Sequence, residues 1–270
     1  SPYTIRNILH RRGLSRPRER RKCFRGQSSY SWDKLYPLQH FQVDLKEILD
    51  QKGLPQPIYR HLRQAIARGA LPPYQWTAID PYSKTKFLAF SFEKNFSNGR
   101  CFLCLVHLWL RSFGINHTLF FQTDWGEEFG GKSLAKLERL QKNLFAPLNI
   151  HLLRIRKGHW QDNAYVERTH RTDDEEFYVP EAAQINNIQE LFVRALKYQY
   201  TFNTKRPHYG RPYPGLTPKE RLKGFRPETT EHFFLFPPLI LDSISLNYPF
   251  IDGHDLLAYY SGGGCLEPIS

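Results

Sequence analysis

The chain has 270 residues, of which 40% are hydrophobic and 15% aromatic, a composition typical of globular rather than disordered proteins. Its formal net charge of +12 favours a polyanionic partner, because cations that neutralise phosphates release counterions. A merely solvated basic surface is the alternative. No apolar run reaches the length of a membrane span, and the four cysteines form no pattern typical of a disulfide framework.

The N-terminal residues combine a short helical pattern with an arginine-rich segment. Ile5, Ile8 and Leu9 follow helical spacing and Gly13 can end the helix, so we expect a helix over residues 4–12. Residues 11–25 are too basic to bury a face of their own and are interpreted as a DNA-tracking arm or a solvated tail. The chain contains no methionine, and we expect it to be a fragment of a longer protein.

The central part of the chain alternates strand and helix patterns. Phe41, Val43 and Leu45 alternate with polar residues, as in a half-buried strand. Further strands are predicted at 75–79, 86–92, 118–122 and 150–155, and helices at 100–113, 132–144, 188–202 and from Asp162, where Asp162 or Asn163 can cap the helix. This order predicts a mixed α/β sheet of five strands flanked by helices.

Three segments fall outside this regular order. Residues 51–73 have the character of an insertion with a short helix at 59–68 between prolines. Another short helix is expected from Thr217, and residues 233–246 alternate enough to predict a small β appendage. Cys101 and Cys104 lack a second pair at zinc spacing and are interpreted as buried thiols of a core helix in an intracellular, reducing setting.

Three acidic residues occupy positions that suggest a functional role. Asp44 interrupts a strand, where aspartate is depleted, and Asp124 lies where a strand ends before Gly126, which permits a sharp turn. Glu167 lies in the first turns of a helix, on a face shared with His170 and Arg171. Taken singly, each could also belong to a solvated surface. Together they supply the oxygen ligands that a pair of Mg²⁺ ions needs for phosphodiester chemistry.

Five stretches of the sequence carry a resemblance. They are Phe41–Glu47, Gln122–Phe129, Gln161–Arg168, Phe202–His208 and Leu216–Glu220. The first three resemble the catalytic blocks of the integrase core found in insertion-sequence transposases and retroviral integrases, and the last two resemble the tail block of the bacterial transposases. Each block alone is weakly specific, but together, in the right order, they make a strong match over about residues 32–224, which is most of the chain.

The resemblance implies an RNase H-like fold and a DDE transposase in which Asp44, Asp124 and Glu167 bind two Mg²⁺ or Mn²⁺ ions. It implies DNA hydrolysis and strand transfer, with mobile-element ends and target DNA as double-stranded partners. A homo-multimer in the synaptic complex, no membrane partner and a cytoplasmic, nucleoid-associated location in bacteria are also expected. Asp80 would be the family's non-catalytic acid.

The same resemblance divides the chain into three parts. Residues 1–30 would be the end of a helix-turn-helix region with a basic linker, 31–224 the catalytic core, and 225–270 a C-terminal extension. Two intervals depart from the family pattern, because Asp44 and Asp124 are separated by an insertion and the interval from Asp124 to Glu167 is somewhat long. Long surface insertions cost little free energy, so these departures affect the surroundings of the triad more than the triad.

Basic and aromatic residues near the third acid are the candidate DNA contacts. The loop before the predicted catalytic helix combines cations, a glycine and a tryptophan that could stack on an unpaired base, and a basic surface turn is its alternative interpretation. The predicted DNA-binding set is Arg156, Lys157, His159, Trp160, Asn163, Arg168, His170, Arg171, Lys205 and Arg206.

Three functions are compatible with these patterns. The leading hypothesis is an active transposase. An RNase H-like nuclease without strand transfer shares the triad, and a DNA-binding protein that is inactive or truncated would share the charge. A glycosidase with paired carboxylates is disfavoured by the basic charge.

Overall fold

The computed structural model describes residues 8, 35–51, 53–210, 214–223 and 231–247. Their centre is a five-stranded sheet in the order β3-β2-β1-β4-β5. β1 is antiparallel to β2 and parallel to β4, β2 is antiparallel to β3, and β4 is parallel to β5. The strands are β1 His40–Glu47, β2 Tyr74–Ile79, β3 Lys86–Ser91, β4 Leu119–Thr123 and β5 Ile150–Arg154. The predicted α/β, RNase H-like mixed sheet is therefore confirmed.

Helices cover both faces of this sheet. Asn95 and Asn187 cap the two longest helices, because each side chain accepts a hydrogen bond from the backbone N–H three residues later. The first of these helices thus begins four residues before the predicted Arg100. The helices are α1 Gln56–Ala67, α2 Phe96–Ser112, α3 Leu134–Leu140, α4 Ala164–Asp173, α5 Ile188–Thr204, α6 Pro218–Lys223 and α7 Leu241–Asn247.

One face of the sheet is apolar and packs against α2. Phe41 and Val43 of β1, Trp76 of β2 and Phe121 of β4 are fully buried in one cluster with the inner side of α2. Phe41 lies 5.8 Å from Phe121, measured between ring centroids. Burial of such large apolar side chains is the main favourable term in folding, so this face supplies the hydrophobic core.

The opposite face carries a buried polar layer. Lys86 and Asp173 are both 0% exposed and form an ion pair with a 2.5 Å separation between Nζ and Oδ1. Lys46 pairs with Asp174 at 2.7 Å. Gln75 donates to Asp173 and accepts a hydrogen bond from the Tyr178 hydroxyl, so these polar groups partner one another.

A wide helical turn follows α4. Residues Asp174–Tyr178 form one π-helical turn, which accommodates one residue more than a regular α-helical turn. Asp173, which precedes the turn, and Asp174, its first residue, meet the polar layer, whereas Phe177 and Tyr178 are buried in a second apolar cluster. The turn therefore changes the direction in which the helix presents its buried side chains.

The segment predicted as an insertion is packed onto the domain. Pro55 precedes α1, and Leu62 and Ala65 of that helix are buried in the second apolar cluster with Tyr178 and Ile185. The helix begins three residues before the predicted Tyr59. The insertion thus buttresses the segment that follows α4.

The prediction of a β appendage at 233–246 is wrong. Residues Glu231–Phe234 form a 3-10 turn, and α7 begins at Leu241. Phe233 and Phe236 are buried in the main apolar cluster, where both contact the ring of Phe87. An irregular segment here fills an edge of the core with aromatic rings. The resulting alternation of buried and exposed residues in the sequence is the same as that of a strand.

Smaller predictions have mixed outcomes. Cys101 and Cys104 are free and buried, as expected, and burial raises their thiol pKa values to about 11 and about 12. Ile8 is helical, but the rest of the predicted helix 4–12 and the arm 11–25 lie outside the described residues, as do 224–230 and 248–270. None of the helices in the described ranges combines the length and apolarity needed to cross a bilayer.

Candidate active site

Asp44 lies in β1, and Asp124 directly follows the neighbouring parallel strand β4. Gln42 of β1 is paired with Gln122 of β4, and each aspartate stands two residues further along its strand direction. Both glutamine side chains donate to the main-chain carbonyl of Asp162 at 2.7 Å, so both face the segment that leads into α4. Because alternate strand residues share a face, Asp44 lies on that side as well.

Glu167 reaches this region because the sheet fixes the start of α4. Oε1 of Gln42 accepts hydrogen bonds from the backbone N–H groups of Tyr165 and Val166, at 2.9 and 3.1 Å. This contact replaces the predicted cap, since the N-cap residue Asn163 makes no side-chain capping hydrogen bond and the Asp162 carboxylate accepts from Arg156. Val166 is buried and Glu167, the next residue, is exposed. β1 thus determines where the third acid stands.

An open groove of about 390 Å³ lies beside the acids. Its lining residues are Lys46, Glu47, Leu49, Asp50, Glu167 and His170. Nδ1 of His170 lies 3.7 Å from Oδ2 of Asp44. Burial lowers the pKa of His170 to about 3, so this imidazole is neutral at physiological pH.

The pKa of Asp44 is affected by the nearby acids. Burial, followed by the charge of Asp124 and smaller effects of Glu128 and Glu167, raises the pKa of Asp44 to about 8. The contact with neutral His170 is therefore not an ion pair. Burial also raises the pKa of Glu167. Clustered carboxylates of this kind repel one another until a cation binds among them.

The donor atoms suit a hard cation, although the acids do not form a closed cage. Oδ1 of Asp44 accepts from the N–H of Leu45, and Oδ1 of Asp124 accepts from the N–H of Gly126. Carboxylate oxygens are the ligands that Mg²⁺ prefers, and the ion keeps several waters. In the described parts of the chain, no three acidic, histidine or cysteine side chains converge closely enough to hold a metal ion.

Asp80 has a structural role, in agreement with its interpretation as a non-catalytic acid. It is 1% exposed and accepts hydrogen bonds from the N–H groups of Leu38, Tyr82 and Ser83. It also accepts from the Ser83 hydroxyl at 2.6 Å. Its oxygens organise the turn between β2 and β3.

Glu128 is an acid that the sequence analysis did not single out. It is 3% exposed, with Oε1 3.3 Å from Nζ of Lys94 and Oε2 without a hydrogen-bond partner among the described residues. A Cβ at Gly126 would stand 2.5 Å from the Glu128 carboxyl group, so a side chain larger than glycine would clash there. The glycine two residues before this glutamate was the available sequence signal.

Arg154 organises the loop after Asp124. Its guanidinium donates to the carbonyls of Asp124 and Phe129, and to Oγ1 of Thr123 at 3.1 Å. These contacts fix the backbone that carries the second acid.

The basic loop before α4 presents part of the predicted DNA contacts. Arg156 is exposed and makes two hydrogen bonds to the Asp162 carboxylate, at 2.9 and 2.7 Å. Lys157 and His159 are exposed, and Nζ of Lys157 lies 5.2 Å from the Trp125 ring. The Trp160 side chain lies outside the described part of the structure.

The remaining predicted DNA contacts fall into three groups. Asn163 departs from the prediction, because it is 2% exposed and its side chain donates to the Val43 carbonyl. His170 is largely covered beside Asp44, with 12% of its side chain exposed. The others lie at the surface: Arg168 and Lys205 are exposed, Arg171 pairs with Glu175, and Arg206 pairs with Glu176 through two hydrogen bonds.

Comparison with known proteins adds two distant structural neighbours. The chain is similar to a chain of the simian T-cell lymphotropic virus intasome in complex with PP2A regulatory subunit B56 gamma, with 13% identity and a TM-score of 0.44. This match covers 70% of the present chain and 54% of the other, so the present chain spans about half of that neighbour. It is also similar to the catalytic core domain of BIV integrase, with 19% identity, a TM-score of 0.40, and coverage of 68% and 92%.

No protein-family model matches the chain, and no curated protein matches it. The class is therefore defined by the fold. The sheet order and the helices on both faces make this an α/β protein with an RNase H-like sheet.

Proposed function

We propose that this protein is a metal-dependent polynucleotidyl transferase, a DDE transposase that cleaves and joins DNA at mobile-element ends. The observation that carries the proposal is that Asp44 of β1 and Asp124, which directly follows β4, each lie two residues beyond the paired Gln42 and Gln122, with Glu167 on the helix that β1 fixes over the same face. Ligands of α/β proteins bind at the carboxyl ends of parallel strands, where β1 and β4 bring two of these acids together.

In this proposal the three acids hold two Mg²⁺ or Mn²⁺ ions, which would activate the attacking oxygen and stabilise the leaving one. The remaining tasks belong to the chain. Arg154 fixes the loop of Asp124, and Gln42 fixes the helix of Glu167. Lys157 and His159 lie on the exposed loop before α4 and would contact the DNA backbone. Neutral His170 would orient Asp44.

The net charge of +12 supports double-stranded DNA as the partner. Joining two element ends to a target needs a synaptic complex, for which we propose a homo-multimer. We also propose that the protein acts in the cytoplasm of a bacterial cell at the nucleoid. A fluorescent fusion that fails to overlap with stained DNA would contradict that location.

The deciding experiment is a cleavage and joining assay. Labelled duplexes would be copied from the DNA that borders the gene for this chain, with supercoiled plasmid as target and Mn²⁺ as cofactor. Asp124→Asn removes a proposed ligand charge, so we expect retained DNA binding and loss of both cleavage and joining. The control is Glu138→Gln, which changes an exposed carboxylate on α3 and should leave both activities intact. Joining by Asp124→Asn would exclude the proposed site.

A second candidate is a DNA-binding protein without catalysis. The absence of a closed three-ligand cluster among the described residues favours it. In that case the unmodified chain and Asp124→Asn bind DNA equally, and neither forms product. A plain RNase H-like nuclease would give Mn²⁺-dependent cleavage without plasmid joining.

A further inference from the structure

Helix α4 separates two concave surfaces of different character. The acid groove described above lies on the side of Glu167 and His170. On the side of Arg168, a pocket of about 510 Å³ opens between α4, the end of α5 and the turn after β2. We call this second concavity the basic pocket. Its lining residues include Lys84, Tyr165, Arg168, Phe202, His208 and Tyr209.

The basic pocket has a surplus of positive charge. Arg168 is exposed and makes no ion pair with an acid of the described ranges. Lys84 is 4% exposed, and its Nζ lies 3.8 Å from the centroid of the Tyr165 ring. Nζ of Lys84 donates to the Pro81 carbonyl and lies near the charge of Asp80, whereas Glu176 pairs with Arg206. Burial lowers the pKa of Lys84 to about 7, so an anion nearby would restore its full charge.

Aromatic rings form the other wall of the basic pocket. Tyr209 is 79% exposed, whereas Phe202 is buried with its ring 4.7 Å from that of His208. Nε2 of His208 is buried and has no hydrogen-bond partner among the described residues. Arg221, which is 2% exposed, donates to the carbonyls of His208 and Gly210 and thereby fixes this wall. An exposed tyrosine on a fixed wall is a stacking surface for a planar ring.

We propose that the basic pocket binds one unpaired nucleotide of a DNA strand, with its phosphate at Arg168 and Lys84 and its base against Tyr209. Cations and an exposed aromatic ring are the two features with which proteins bind single-stranded nucleic acid. A duplex is too wide for a cavity of this volume, which suits a single small ligand. Arg168 directly follows Glu167, so a strand leaving the acid groove across α4 reaches the pocket. The inference rests on the proposed function.

The test compares the affinities of two DNA ligands by fluorescence anisotropy in EDTA. One is a blunt duplex, and the other is the same duplex with a three-nucleotide 5′ overhang. Stacking of a single base predicts that the full chain prefers the overhang by about 5- to 100-fold. Tyr209→Ala should remove the preference and leave blunt-duplex affinity unchanged, because this side chain is 79% exposed and contributes little to packing. Arg168→Gln should also remove the preference.

Arg63→Gln is the matched control, because it removes an exposed arginine on α1 away from the basic pocket. It should keep the overhang preference. Equal affinity of the unmodified chain for both duplexes would overturn the pocket assignment while leaving the proposed function supported by blunt-duplex binding. Failure to bind either duplex would overturn both. A different result would assign the pocket to a free nucleotide and overturn the strand assignment. In that result thymidine monophosphate raises the melting temperature of the unmodified chain but not of Arg168→Gln, and the unmodified chain shows no overhang preference.

Discussion

The two faces of the central sheet are built by different chemistry. On one face, aromatic and aliphatic side chains of β1, β2 and β4 pack against α2. On the other, side chains from the sheet make hydrogen bonds and ion pairs to α4 and the turn after it: Gln42 to Tyr165 and Val166, Lys46 to Asp174, and Lys86 to Asp173. The first face supplies stability, whereas the second holds one helix at both of its ends.

This difference bears on the site because α4 carries Glu167. Apolar contacts tolerate small shifts of a helix, whereas hydrogen bonds are directional and fix its position. Buried ion pairs add little stability relative to a well-packed apolar replacement, but the loss of one partner is strongly destabilising. The polar face therefore trades stability for placement of an acid, and the following predictions test that contrast from the largest expected effect to the smallest.

Asp173→Ala should have the largest effect. It leaves the buried Lys86 ammonium without its partner and removes the acceptor for Gln75 and Tyr198. We expect a loss of about 3 to 5 kcal/mol in the free energy of unfolding, measured with urea. Lys86→Met combined with Asp173→Asn should recover part of it, because the uncompensated charge is gone and an acceptor oxygen remains. If Asp173→Ala is as stable as the unmodified chain, the buried ion pair does not contribute to the stability of the polar face.

Phe121→Ala tests the apolar face. This side chain is fully buried at the centre of the main cluster, so its truncation should cost about 3 to 5 kcal/mol through lost burial and a residual cavity. Phe121→Leu conserves more volume and should cost less in the same urea titration. DNA binding per folded molecule should not change in either variant, and a selective loss of DNA affinity would contradict the separation of roles.

Gln42→Leu separates placement from stability. It leaves the N–H groups of Tyr165 and Val166 without their acceptor, so we expect a cost of about 1 to 3 kcal/mol. If the proposed function holds, DNA joining should fall more than the folded fraction does, because Glu167 loses its fixed position. Gln64→Leu on the exposed side of α1 is the control. Joining that only follows the folded fraction would show that this glutamine does not position the acid.

His107 makes the apolar face sensitive to acid. Burial, together with the nearby charge of Arg111, lowers its pKa from 6.5 to about 4. The unfolded chain therefore takes up the proton first, and stability falls as pH decreases from about 6.5 towards about 4. Between pH 7 and pH 5 we expect this residue to contribute a loss of about 1 to 2 kcal/mol.

His107→Leu should reduce that pH dependence, measured as the change in urea unfolding free energy between the two pH values. His232→Gln, which alters an exposed histidine, is the control. An unchanged slope in His107→Leu would place the acid sensitivity elsewhere.

Arg171→Gln should have the smallest effect on stability. The Arg171–Glu175 pair is solvent-exposed, with 81% and 59% of the two side chains accessible, and such helix pairs contribute less than about 0.5 kcal/mol. Its proposed role is to contact DNA, so duplex affinity should decrease and the salt dependence of binding should become shallower. If Arg171→Gln and the unmodified chain bind duplex DNA with equal affinity at both low and moderate salt, Arg171 is not part of the contact surface.

The apolar face was largely predictable from the sequence, because its periodicity is local. The alternation of Phe41, Val43 and Leu45 indicated β1, and the inner side of α2 was visible as an apolar run. The helix ends were less accurate, since a single capping residue such as Asn95 decides them. The strand predicted around Phe233 is wrong because a strand and an irregular segment at the edge of the core have the same hydrophobic pattern.

The polar face could not be predicted, because its pairs join distant parts of the sequence. Gln75 and Asp173 are 98 residues apart, and Lys86 and Asp173 are 87 apart. No local pattern specifies such contacts. For the same reason, Asn163 and His170 were predicted as DNA contacts from their place on a helix, whereas the fold turns them towards Val43 and Asp44. The three acids were named from the sequence, and their role stays a prediction.

The wide turn at Asp174–Tyr178 uncouples the directions in which side chains point before and after it. In a continuous α-helix each residue advances the helix by about 100°, so the angle between Glu167 and any later side chain would follow from their separation alone. One additional residue in the turn breaks that relation. The acid can face its groove while Phe177 and Tyr178 face the second apolar cluster. Substitutions downstream can then adjust that cluster without rotating the acid.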